Sequence, residues 1–255
     1  MLYMKTLPAW LVLPAILFSS AALRADEKPL TKAELETTIR AYLLEHPEIL
    51  IEMSQALKTR QAAVQREQSQ AAMTSKRAEL VADAASPVAG KAKEGDGIVT
   101  IVEFFDYRCG YCKKVNPMVQ KLVDEDPNIR VVFKEFPILG PESTTAALAA
   151  LAAHDQGGYL KFHRALMSTG DMSMASLERM AAAAGLDLER WKKDMAKPEH
   201  QATLARNHEL GEALAIQATP AFVIGSEIVP GALDDNAFRQ LIAKARAEAN
   251  PRASK

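Results

Sequence analysis

The chain has 255 residues, of which 48% are hydrophobic and 25% charged, proportions that exclude collagen, wholesale disorder and a multi-span membrane protein. With 31 basic residues against 32 acidic ones there is no basic field to gather nucleic acid, so none is expected as a partner. Two cysteines cannot build a disulfide scaffold, so they act as one pair or as two separate thiols.

Lys5 is the only charge among the first 23 residues, residues 6–18 are almost wholly apolar, and Ser19, Ser20, Ala21 and Ala22 are small. A charged start, an apolar run and a small-residue cleavage zone predict a signal peptide over residues 1–22, hence export to the periplasm. The alternative is a membrane anchor, but a span takes about 20 apolar residues. This run is shorter and is broken by Pro8 and Pro14. Exported cysteines work where disulfides persist.

Residues 26–85 read as a helical extension. Between 31 and 85 there is no glycine, and Pro47 is the only proline. Thr31 and Glu34 have capping-box spacing, and Leu35, Ile39, Tyr42 and Leu43 follow at helical intervals. Pro47 opens a second helix in which Leu50, Met53, Leu57, Val64 and Ala71 keep roughly heptad spacing, weakened by Arg60, Gln61, Glu67 and Gln68. A polar helix of this kind needs a partner for its apolar stripe, which predicts a self-association stalk over residues 31–85; an arm folded back on its own domain is the alternative.

Residues 86–97, with Pro87, three glycines and alternating charges, read as a linker, so a second domain is expected over 86–250. Residues 98–105 are dominated by β-branched and aromatic side chains and read as a strand, a helix is expected over 113–125, and a second buried strand over 128–136. About five short, alanine-rich helices fill an insertion at about 141–216. Strand character returns at 221–224 and 227–229, and a last helix covers 234–248. The order is βαβ, a helical block, then ββα: an α/β chain with a thioredoxin fold and a helical insertion.

Cys109 and Cys112 enclose Gly110 and Tyr111 at the start of the 113–125 helix. Unsatisfied backbone N–H groups and the positive helix end favour the thiolate of Cys109, the expected nucleophile, and Arg108 beside it adds positive charge. Cys112, one turn further in, is placed to resolve a mixed disulfide, and the Gly110-Tyr111 dipeptide tunes the potential. Three other readings compete. A zinc site would have to recruit scattered histidines, an inert disulfide closing four residues stabilises little, and a Cu(I) site needs only two soft thiolates. No tight small-molecule cofactor is expected, because the scattered glycines form no nucleotide fingerprint. Thr219-Pro220 enters a strand about 110 residues after the cysteines. Taken alone it is an ordinary turn; as a cis-proline loop it would offer backbone groups to an extended substrate.

The run Val102-Glu103-Phe104-Phe105-Asp106-Tyr107-Arg108-Cys109-Gly110-Tyr111-Cys112, with residues 134–140 and Thr219-Pro220, resembles the DsbA family of exported thiol-disulfide oxidoreductases. The resemblance implies that Cys109 and Cys112 are the redox pair and Pro220 the cis-proline, with Thr219 the variable residue before it. It also implies that Glu103 is a buried acid beneath the active site and Lys134 its partner on the next strand. Residues 35–60, including Tyr42-Leu43-Leu44-Glu45-His46-Pro47, look like the N-terminal extension of the ScsC group, the suppressor of copper sensitivity proteins. That resemblance implies a disulfide isomerase or reductase linked to copper tolerance and kept reduced by a membrane thiol reductase of DsbD/ScsB type. Its substrates would be unfolded or misoxidised exported proteins, and the extension implies a homotrimer. The alternatives are a monomeric DsbA-like oxidase and a Cu(I)-binding protein using the same thiols.

Overall fold

A computed structural model describes residues 29–91, 95 and 97–249; the expected signal peptide at 1–22 lies outside them. The chain divides into two compact units, one ending at Ala56 and one beginning at Leu57.

In the first unit, α1 (Lys32–Glu45) starts at the expected capping box: the Thr31 hydroxyl accepts the Glu34 N–H, and the Glu34 carboxylate accepts the Thr31 N–H at 2.9 Å. No residue of α1 is buried, and Leu35, Ile39 and Tyr42 are each about half exposed. Helix α2 (Glu48–Ser75) follows Pro47, with Leu50 and Met53 exposed as well.

In the second unit, α2 ends with Met73 buried, and α3 (Arg77–Val81) follows. Helix does not continue to residue 85 as the composition predicts. Asp83 stops it, because its carboxylate accepts the Ala85 N–H and the Ser86 hydroxyl, both at 3.0 Å, and so rewards a turn over another helical turn. The stretch read as a linker also contributes a two-residue strand, β1 (Val88–Ala89), too short to leave a periodic signal.

Strands β2 (Val99–Phe105) and β3 (Ile129–Glu135) are parallel and joined through α4 (Gly110–Glu125). Five helices follow, in the order α5 (Pro141–His154), α6 (Tyr159–Met167), α7 (Met174–Ala184), α8 (Leu188–Met195) and α9 (Pro198–Ala213). The antiparallel pair β4 (Ala221–Ile224) and β5 (Glu227–Pro230) and the last helix α10 (Asp235–Ala249) complete a sheet of order β1-β3-β2-β4-β5.

The β2–β3 register decides which side chains meet. Glu103 lies opposite Phe133 and Phe105 opposite Glu135, so these four share one face, while Val102, Phe104, Val132 and Lys134 point to the other. The first face packs, with Ile101, Val131 and Phe222, under Val115, Val119 and Leu122 of α4, Phe162 of α6, Trp191 of α8 and Phe238 of α10. The second carries Val102, Phe104 and Val132 against Leu80 and Val81 of α3 and Leu210 of α9. Helix α4 is aimed by its own pattern: Cys112, Val115, Asn116, Val119 and Leu122 recur at helical spacing and are all buried.

Candidate functional site

The carboxyl end of β2 and the amino end of α4 meet at residues 106–112. Cys109 is the N-cap residue of α4, and its sulfur accepts the Cys112 N–H at 3.4 Å. A sulfur in this position takes the role usually filled by a serine or aspartate oxygen, so negative charge on it is stabilised by a helix amide. The thiol also donates to the Thr219 carbonyl at 3.2 Å, and the Thr219–Pro220 peptide is cis. Cys109, Cys112, Thr219 and Pro220 are therefore brought together although 110 residues separate the first cysteine from Thr219.

Both thiols are free. Cys109 retains 7% of its surface and Cys112 none, so only the first sulfur is presented outward. Burial pushes the Cys112 thiol far above its ordinary value; the Asp106 backbone N–H opposes this, and the Cys109 sulfur and the Glu103 carboxyl add to it. The two sulfurs are thus chemically unlike, one capping a helix end with a little of its surface open and one fully buried and held as a neutral thiol. Between them, Gly110 opens the helix and Tyr111 stands 66% exposed. Arg108 does not act as a free cation beside the sulfur: its Nη1 donates to the Leu139 carbonyl at 2.7 Å and its Nε lies 3.2 Å from the Glu142 carboxylate.

Glu103 is fully buried, and neither carboxyl oxygen has a hydrogen-bond partner among the described residues. Desolvation pushes its carboxyl up to about 8. Lys134 is not its partner, because the register turns it to the opposite face of the sheet. There Lys134 Nζ donates to the Glu79 carbonyl at 2.6 Å and to Ser86 Oγ at 2.7 Å, and pairs with Asp83 at 3.4 Å. Burial lowers the Lys134 ammonium, and Asp83 opposes that shift. Lys134 therefore ties the segment after α3 to the sheet.

Sequence reasoning passed over a second buried acid. Glu135 Oε1 accepts the hydroxyls of Tyr107 at 2.9 Å and Tyr159 at 2.8 Å, and Tyr107 Oη lies 3.0 Å from His163 Nδ1. Burial raises Glu135 to about 8 against the lowering effect of both hydroxyls, and burial holds His163 down at about 3, hence neutral. His163 Nε2 lies 3.3 Å from Asn116 Oδ1 of α4, so this polar cluster joins the end of β3 and helix α6 to the helix that carries the cysteines. A signal existed: two adjacent charges, Lys134 and Glu135, following the apolar run Val131-Val132-Phe133 in one strand must point to opposite faces, so each needs its own explanation.

Among the described residues no group of three or more His, Cys, Asp or Glu side chains is arranged to hold a metal ion, and no helix is long and apolar enough to cross a membrane. A family model for the DSBA-like thioredoxin domain matches residues 100–243, and one for the copper resistance protein ScsC N-terminal domain matches residues 32–63. The chain is 43% identical to a thioredoxin-like oxidoreductase from Silicibacter pomeroyi, covering 67% of this chain and 97% of that one with a TM-score of 0.62. Proteus mirabilis ScsC in a transitional conformation is 33% identical, covering 86% of this chain and 98% of that one with a TM-score of 0.63. A Na+/H+ antiporter NhaA 1 from Salinispora arenicola is 30% identical over 150 residues, which make up 58% of this chain and 23% of the antiporter. The chain thus spans about a quarter of the length of that curated relative. With its helix-capping cysteine facing Thr219 and an ScsC-type segment ahead of the fold, the chain belongs to the DSBA-like thioredoxin family, and within it to the ScsC group.

Proposed function

We propose that this protein is an exported, periplasmic thiol-disulfide oxidoreductase that acts on misoxidised proteins as an isomerase or reductase and contributes to copper tolerance. The observation that carries the reading is the asymmetry of the pair: a helix-capping Cys109 sulfur beside the Thr219 carbonyl, and a fully buried Cys112 thiol behind it. The Cys109 thiolate attacks a substrate disulfide, forming a Cys109–substrate disulfide and releasing one substrate thiolate. If that thiolate attacks a different disulfide of the substrate, bonds are reshuffled and a later exchange frees Cys109 unchanged. If Cys112 attacks instead, the substrate leaves as a dithiol and the protein is oxidised to the Cys109–Cys112 disulfide. Two electrons from a membrane thiol reductase then restore it. Glu103, whose carboxyl acts on the Cys112 thiol, accepts the proton lost by Cys112 only in its ionised form, which dominates above about pH 8.

The exposed Leu35, Ile39, Tyr42, Leu50 and Met53 support an assembly through the N-terminal helices, with a trimer as the expected size. Several redox sites on one assembly suit reshuffling, since a released substrate thiol meets a second site before diffusing away.

Two measurements test this. Cys112→Ser should trap a mixed disulfide with a scrambled multi-disulfide substrate, and its absence with several such substrates would overturn the reading. The pre-reduced protein should unscramble that substrate faster than its disulfide form oxidises the fully reduced chain. The reverse order would make it an oxidase.

A further inference from the structure

The turn that carries Cys109 is fastened to the loop before α5 by one side chain. Asp106 is 2% exposed, and its carboxylate accepts four hydrogen bonds. Oδ1 takes the Arg108 amide at 2.7 Å and the Ser143 hydroxyl at 2.8 Å. Oδ2 takes the Ile138 and Leu139 amides at 2.9 and 3.0 Å. All four donors are neutral groups, so they solvate the charge without cancelling it. From the other side, Arg108 reaches back to the Leu139 carbonyl and to Glu142. The main chain of Asp106 is committed as well: its carbonyl accepts the Cys109 N–H at 3.0 Å, and its N–H bonds the Cys112 sulfur.

We infer that Asp106 is a positioning residue for the redox pair: its carboxylate locks the 106–109 turn to the 138–143 loop, and its fixed negative charge, bonded to the amide next to Cys109, restrains thiolate formation there. The inference rests on the thiol-disulfide reading above and sets the direction of that chemistry. A nearby like charge opposes ionisation of Cys109. A less stabilised thiolate means a less stable reduced form, so the pair gives up electrons more readily. The α4 N-terminus pulls the other way, and Asp106 sets how far that pull is answered. Among the described residues, the other titratable groups on the elements around Cys109 include Tyr111, Cys112 and Lys113 from α4, Glu103 from β2, Arg108 from the turn and Glu142 from α5. The variants below leave all of them in place.

Asp106→Asn keeps an oxygen for the Arg108 amide and the Ser143 hydroxyl, removes the charge, and turns an amide NH2 that cannot accept toward the Ile138 and Leu139 N–H groups. In the full-length protein the thiolate absorbance of Cys109 should then titrate about one pH unit lower. The equilibrium with glutathione should move about tenfold toward the dithiol form. Ser143→Ala keeps the charge and deletes one of its donors, so both readouts should move in the opposite direction. A thiolate midpoint and glutathione equilibrium in Asp106→Asn within twofold of wild type would overturn the proposal, whatever happens to the melting temperature. So would shifts of the same sign in both variants, the signature of a loosened latch alone. If Asp106→Asn fails to fold, Ser143→Ala decides by itself: a raised midpoint supports the proposal, and an unchanged or lowered one overturns it. If the wild-type protein exchanges no thiols with glutathione, the oxidoreductase reading falls, and the absorbance titration still judges Asp106.

Discussion

Buried ionisable residues make this domain sensitive to pH in a defined direction. Folded Glu103 holds its proton up to about pH 8, whereas an unfolded carboxyl releases it near 4.5. Between those values the native state binds more protons than the unfolded state, so stability falls as pH rises, and above the folded value the loss is complete. Glu135 acts in the same window. Glu103→Gln has no proton to lose. It should match the wild type near about pH 5 and exceed it near about pH 8 by on the order of a few kcal/mol. Denaturant unfolding at the two pH values checks this, and an unchanged pH slope would mean that Glu103 titrates normally in the fold. The acid itself was legible only through the resemblance to the DsbA family, which implies a buried acid at this place, six residues before Cys109. The expected pairing with Lys134 fails, since a side chain's face depends on strand register, which only the folded sheet sets, and the register turns Lys134 away. The Glu135 cluster was harder still, because Tyr107, Glu135, Tyr159 and His163 come from four separate stretches of chain.

At the scale of elements, helix α9 presses on the sheet through a glycine. A Cβ at Gly211 would lie 2.6 Å from Cε2 and 2.8 Å from Cζ of Phe136, whose ring is buried edge-on against Phe104. The ring has little room to retreat. Gly211→Ala should therefore destabilise the domain by about 1–3 kcal/mol despite alanine's better helix propensity, read as a lowered midpoint in thermal or denaturant unfolding. A gain in stability would mean that α9 shifts freely on the sheet. Gly140 is needed for a different reason: it opens α5 at φ +116°, a conformation other residues avoid, with Pro141 set as the first helical residue. The strands and most helices were legible from periodicity to within a few residues, and the insertion does contain five helices. The end of α3 and strand β1 were not: the first depends on Asp83 bonding its own turn, the second on a neighbour that lends a two-residue segment its pairing.

For the whole molecule, composition drew a boundary at residues 86–97, whereas the compact units part after Ala56. The intervening stretch supplies Met73, Leu80 and Val81 to the core and Glu79, Asp83 and Ser86 to Lys134. Removing residues 29–56 should leave a folded protein that still exchanges disulfides but sediments as a monomer. Removing 29–85 should lower the melting temperature by about 10 °C or more, since each buried aliphatic side chain lost costs about 2 kcal/mol or more. Calorimetry and sedimentation on the two truncations check both points, and a 29–56 deletion that stays oligomeric would move the assembly surface out of the first helices.

The rims of the sheet bear on whether this fold can be joined by the backbone of another chain. One outer strand, β1, has two residues and the other, β5, has four, ending at Pro230, which has no amide proton to offer. Glu227 of β5 is also held in an ion pair with Lys244 of α10. Neither rim offers a stretch long enough for an unfolded chain to zip onto. The sheet is thereby guarded on both sides against edge-to-edge pairing with another chain, the usual first step from a folded β-sheet toward an aggregate.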